Sequence, residues 1–82
     1  MLILSEQAKS LRPGIYRHYK GPEYEALRVV NHSETLEELV LYRRLNDNSY
    51  WARPLQMFLE NVDIAGEAMP RFKFLRENQW IM

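Results

Sequence analysis

The chain contains no cysteine. That excludes disulfides, thiol nucleophiles and zinc sites built on thiolates, and it fits a reducing cytoplasm. Glycine is scarce, with only three scattered along 82 residues, so there is no glycine-rich loop to cradle a phosphate. Net charge is missing as well, because eleven Lys+Arg balance eleven Asp+Glu. A neutral chain lacks the basic excess that drives phosphate-backbone binding, and it has no global attraction to anionic membranes. Long apolar runs are absent too. Met1-Leu2-Ile3-Leu4 is followed at once by Ser5 and Glu6. A secretory core needs about 7–15 apolar residues and a membrane helix about 20.

What remains is an ordinary globular composition, 46% hydrophobic and 27% charged. A chain of this size supports one domain with one thin core, burying roughly 60% of the surface of the unfolded chain. A deep, dry catalytic pocket is hard to build at that scale, which points away from an enzyme acting alone.

Turn-forming residues divide the chain into short β-type runs. Residues 1–13 are a lead-in, with a turn or two of helix expected over 6–11 and stopped by Pro13-Gly14. Residues 14–21 form a strand bracketed by glycines, and Gly21-Pro22 is a turn. Residues 23–32 form the second strand, in which Leu27 and Val29, set between Glu25 and Asn31, mark a core-facing side. In residues 33–38, Thr35 and Glu38 have capping-box spacing, which predicts a short helical turn. Residues 39–45 form the third strand, Asn46-Asp47-Asn48-Ser49 a turn, and residues 50–53 the fourth, ended by Pro54. Residues 55–59 are apolar and short, which predicts one helical turn plugging the core. Residues 62–64 and 69–75 read as a final hairpin about Ala65-Gly66. The fold class expected is mainly β, a small SH3-like barrel or roll of about five short strands with one or two short helical turns, closed so as to hide its edges. The domain spans 14–75, and 76–82 form a C-terminal tail.

Three blocks carry a family resemblance: Gly14-Ile15-Tyr16-Arg17-His18-Tyr19-Lys20-Gly21; His32-Ser33-Glu34-Thr35-Leu36-Glu37-Glu38-Leu39-Val40-Leu41-Tyr42-Arg43; and Trp51-Ala52-Arg53-Pro54-Leu55-Gln56-Met57-Phe58-Leu59-Glu60. With Pro70-Arg71-Phe72 closing the set, the chain resembles the bacterial family called domain of unknown function 1653 over about residues 12–75. The resemblance implies an SH3-type barrel-like fold. It implies no activity, cofactor or catalytic set.

His18 and His32 are the only histidines. With Glu34, Glu37 and Glu38 they are the sole candidates for a His/carboxylate metal or acid–base site. Their spacing fits no ligand template, and His32 is better read as hydrogen bonding into the turn at Ser33. Acids in a first helical turn also simply complement its dipole. No catalytic residue, metal site or cofactor is therefore assigned. Arg and Tyr interleaved on strands make the stronger pattern. The binding candidates are Tyr16, Arg17, His18, Tyr19, Arg43, Trp51 and Arg53. An Arg/aromatic face stacks bases and holds phosphates, or docks an extended peptide. Against this, period-two alternation puts Tyr16 and His18 on one face and Arg17 and Tyr19 on the other. Arg43 or Arg53 also has Glu25 or Glu60 as a cross-strand partner. The sequence thus favours a non-enzymatic binding module for a peptide, a protein or single-stranded nucleic acid. A small enzyme or enzyme subunit using His18 or His32 with a nearby glutamate is the alternative, and an appendage whose partner covers exposed strands is a third reading. The apolar tail Gln79-Trp80-Ile81-Met82 is compatible with a homodimer.

Overall fold

The computed structural model describes residues 3–78. The tail from Gln79 onward lies outside the described residues. Element order is α1 (Glu6–Ser10), β1 (Gly14–His18), β2 (Glu23–Asn31), β3 (Glu38–Arg44), β4 (Tyr50–Pro54), α2 (Leu55–Leu59), β5 (Asn61–Ile64), β6 (Glu67–Pro70) and β7 (Phe72–Arg76). The fold is mainly β, as the alternation and turn chemistry require. Among the described residues no helix is long and apolar enough to cross a membrane.

The strands form a five-stranded antiparallel sheet, in the order β4-β3-β2-β1-β7, and a separate two-stranded hairpin of β5 and β6. The expected closure does not occur. β4 and β7 are opposite edges with no pairing between them. The sheet instead curls, so that the Arg53 guanidinium on β4 lies 5.7 Å from the Phe72 ring on β7. The short helix α2 fills the mouth of the curl with Leu55 and Phe58. This plug removes the need to close the sheet, because the apolar face is covered without an eighth strand.

Tyr16, Ala26, Val40, Tyr42, Leu55, Phe58 and Phe72 form the core, joined by Ala8 from α1. Its centre is aromatic. Phe58 stacks on Phe72 at 4.3 Å between centroids and meets Tyr16 edge-on at 5.2 Å. Such offset and edge contacts add about 0.5–1.5 kcal/mol each beyond area burial.

Three local expectations fail for identifiable reasons. In β2 the pairing with β3 slips between Ala26 and Arg28, so one extra residue enters the strand. Tyr24 and Ala26 therefore face the core before the bulge and Val29 after it, while Leu27 is only half-buried and Glu25 is buried on the other side. The last hairpin breaks at Arg71. Residues 67–70 pair with β5, whereas Phe72–Arg76 return to the main sheet beside β1. The hairpin's tip has positive φ at both Ala65 and Gly66, as a tight turn in register with strand twist requires. Finally, residues 33–35 form a turn and no helix. The Thr35 hydroxyl accepts from the Glu37 amide at 3.2 Å, and Glu38 is engaged elsewhere.

That partner is α1. The Ser5 hydroxyl accepts from the Ala8 amide, capping the helix, and donates to Glu38 Oε1 at 2.6 Å. The Ser5 amide donates to Glu38 Oε2 at 2.8 Å. Glu38 plays from another strand the part that a third-position glutamate plays within a capping box. Hydrogen bonds from the Ser5 hydroxyl, then from its amide, hold the Glu38 carboxyl below its ordinary value. A depressed carboxylate stabilises the folded state above the unfolded pKa of about 4.3, and that contribution disappears as pH falls through the folded value. Acidification should therefore release α1 before the sheet. Hydrogen-exchange protection at the Ser5 and Ala8 amides should drop at low pH while Val40 stays protected. Glu38→Ala should show the same loss at neutral pH, and equal protection in the variant would contradict this docking.

Candidate ligand-binding surface

β1 ends at His18, where the chain turns through Tyr19 and Lys20. The His18 amide donates to the Pro22 carbonyl at 2.9 Å, and the Gly21 amide returns to the His18 carbonyl at 2.8 Å. This tight turn lets the Lys20 amide donate to His18 Nδ1 at 3.2 Å. With Nδ1 accepting, the proton of the neutral ring sits on Nε2, which is left as a donor.

Aromatic rings surround the imidazole. Tyr19 lies 4.5 Å away, Phe72 4.9 Å and Tyr24 6.4 Å. Three cations lie near enough to act on the same ring. Burial lowers the His18 pKa, and the positive charges of Arg53, Arg71 and Lys20 lower it further. Glu60 pairs with Arg71 at 2.7 Å, which offsets one of the three charges. The Nε–H groups of Arg44 and Arg71 are buried and have no hydrogen-bond partner among the described residues. Arg44 lies across from Tyr24 on the core face, so this end of the sheet is rich in donors that lack acceptors. A shallow cavity of about 220 Å³ adjoins it, lined by Arg17, His18, Tyr19, Met69, Pro70 and Lys73.

The seven residues singled out from sequence separate by face. His18 and Tyr19 form this cluster with Arg53, whose Nε donates to the Tyr42 hydroxyl at 3.3 Å. Trp51 lies opposite Tyr42 on the same face, half-exposed, with its indole N–H donating to the Ser49 hydroxyl at 2.7 Å. Tyr16 is buried in the core and its hydroxyl donates to the Arg12 carbonyl at 2.7 Å. Arg17 and Arg43 lie on the opposite face. Arg17 pairs with Glu23 at 2.8 Å, and Arg43 pairs with buried Glu25 at 2.9 Å and donates to Asn48 at 2.6 Å. Asn78 also donates to Glu25. Arg17, Arg43 and Tyr16 are thus committed to intramolecular partners.

Sequence reasoning overlooked Tyr24 and Arg71. Tyr24 could have been found from the pairing of β1 with β2, which sets it opposite Tyr16. Arg71 is remote in sequence, and only the break between β6 and β7 brings it to His18. The Arg71 carbonyl accepts from the Tyr19 amide at 3.0 Å, which fixes that approach.

The two histidines do not form a joint centre. His32 Nδ1 accepts from the Glu34 and Thr35 amides at 3.1 and 3.3 Å, which makes it a cap for its turn. Among the described residues no group of three or more His, Asp or Glu is placed to hold a metal.

The surface lies within a block matched by a family model. The model described as protein of unknown function (DUF1653) matches residues 14–74. The chain belongs to the DUF1653 family. It is similar to a DUF1653 protein from Bordetella bronchiseptica whose crystal structure has been solved, with 35% sequence identity and a TM-score of 0.79. The likeness covers 90% of this chain and 99% of that one. No curated protein matches it. The DUF1653 block starts at Gly14, so α1 and Ser5 lie outside it, while Glu38, which holds them, lies inside. The His18 cluster, including Arg71, falls wholly inside it.

Proposed function

We propose that this DUF1653 domain is a non-enzymatic binding module whose surface around His18 takes single-stranded nucleic acid. The His18 imidazole, held by the Lys20 amide with Nε2–H left to donate and ringed by Tyr19, Tyr24 and Phe72, carries this reading, with Lys20, Arg53 and Arg71 nearby. Three cations and an Nε2–H donor suit phosphate oxygens. Tyr19 and Trp51 offer rings on which bases stack. The net charge of zero limits the footprint to two or three phosphates and excludes long-range tracking along a polyanion. We also infer a reducing cytoplasm as its setting, which a chain without cysteine suits.

The test is fluorescence anisotropy with a labelled single-stranded oligonucleotide. At about 0.7 counterions released per phosphate, the slope of log K against log salt should lie between about −1.4 and −2.1. Arg53→Ala should weaken binding about tenfold, as expected for losing one charge-assisted contact. Affinity should also rise as pH falls towards and below the ordinary imidazole value of about 6.5, since the free His18 titrates below it. A bound anion raises the His18 pKa that burial and cations hold down, so binding takes up a proton there. Binding that ignores salt, or that survives Arg53→Ala unchanged, would remove this reading. Capture of extended peptides at the same surface would replace it with the peptide alternative.

A further inference from the structure

The sheet has two unpaired edges among the described residues, β4 and β7, and they differ in character. β7 carries Lys73 and Arg76, charges that discourage strand addition. β4 carries none at Tyr50, Trp51 and Ala52, all three of which are exposed, with Tyr50 at 64% and Trp51 at 50%. Its single charge, Arg53, faces the core side opposite Val40. Pro54 ends the strand, and an edge-strand proline sits where its missing N–H would point to solvent. By period two, the outward backbone groups of β4 then belong to Tyr50 and Ala52.

We propose that β4 is a self-pairing edge, on which two copies of this chain join antiparallel about Ala52 to make one continuous sheet. The partner follows from self-complementarity. Residues facing each other across a two-fold in one sheet must share a face, so the pairing centres on a residue. Centring on Arg53 opposes two guanidinium groups. Centring on Trp51 leaves Arg53 facing the turn residue Ser49. Centring on Ala52 bonds the two Ala52 residues both ways, lets each Tyr50 amide donate to Pro54 of the other copy, which has no N–H to return, and sets each Trp51 against Arg53 of the other copy, a cation–π pair made twice. The Ser49 hydroxyl already fixes the indole by its ring nitrogen.

Five residues a side is a small interface, well below the roughly 1,000 Å² of stable dimers, so association is reversible and in the micromolar range. The inference does not depend on the nucleic-acid reading, because its test uses the protein alone. Sedimentation velocity over protein concentrations of about 10–500 µM should show a monomer–dimer equilibrium. Trp51→Lys sets a lysine against Arg53 of the other copy and should weaken the dimer at least about tenfold. Trp51→Glu sets a carboxylate there and should hold affinity within a few-fold of the parent. Circular dichroism confirms that both variants fold, since position 51 is half-exposed. A monomer at every concentration, or an equal response to the two substitutions, overturns the proposal.

Discussion

Replacing Phe58 with alanine is expected to lower the unfolding free energy by about 3–5 kcal/mol, the range for truncating a buried phenylalanine. Phe58 is 2% exposed and supports three other rings at once. It stacks on Phe72, meets Tyr16 edge-on and lies 5.8 Å from Tyr42. Those three rings come from β7, β1 and β3, so a void at Phe58 loosens strands that are not all neighbours in the sheet. A chain of this length is typically stable by only about 4–12 kcal/mol. The variant should therefore melt about 12–40 °C lower, from 4–8 °C per kcal/mol in a domain of this size, or fail to fold at physiological temperature. Phe58→Leu keeps part of the volume and should lose about half as much. Thermal denaturation followed by near-ultraviolet dichroism measures both. A shift of a few degrees for the alanine variant would mean that α2 is not the plug described above.

Gly14→Ala should cost about 3 kcal/mol through the backbone alone, from strain and overlap together. Gly14 has φ +151°, outside the range that L side chains readily adopt. A Cβ there would meet the Arg76 carbonyl oxygen at 2.5 Å, the Phe74 ring at 3.0 Å and the Glu77 Cα at 3.2 Å. Two of these three are main-chain atoms of β7 or the residue after it, so relief requires moving the β1–β7 pairing, which already shifts register beside Ile15. Gly21 supplies the control. It has φ +117°, but a Cβ at this position would have no other atom within 4 Å, so Gly21→Ala bears conformational strain without the overlap. Urea midpoints should rank parent, Gly21→Ala, Gly14→Ala in decreasing stability. Equal losses at the two sites would show that the close approach of β7 contributes nothing.

Much of this architecture was legible from residue types because each signal acts locally. Pro13-Gly14 stops the lead-in, the 46–49 turn uses side chains that bond their own backbone, and Pro54 ends β4 where the ladder can no longer continue. α2 emerged from an apolar segment too short to be anything but a plug. What stayed hidden depends on long-range geometry. The bulge after Ala26 changes which side of β2 faces inward, and no residue between Ala26 and Arg28 announces it. Glu38 has the spacing of a local cap to Thr35, yet Ser5, 33 residues away, takes both of its oxygens. The open curl was missed because closure and plugging bury the same apolar face from the same sequence pattern.

The candidate surface follows the same division. His18, Tyr19, Trp51 and Arg53 were recognisable as an Arg/aromatic pattern. Alternation alone could not separate them from Arg17 and Arg43, whose carboxylate partners come from neighbouring strands. The Arg43–Glu25 pair was among the cross-strand pairings the sequence allowed, whereas Glu60 found Arg71 and not Arg53. Arg71 joined the cluster only because the chain leaves the β5–β6 hairpin there and re-enters the sheet.

That hairpin hangs from the domain at its base. The Arg71 amide donates to the Glu60 carbonyl at 3.1 Å, and the same two residues form an ion pair, so entry and exit are clasped together. Beyond the clasp, all of β6 and most of β5 is exposed. For protein engineering this makes Ala65-Gly66 a natural graft point. A peptide spliced into the tip lengthens a loop whose ends the clasp already holds, at a closure cost of only about 0.6 kcal/mol per doubling of length. The sheet, the aromatic core and the His18 surface would carry such cargo without contacting it.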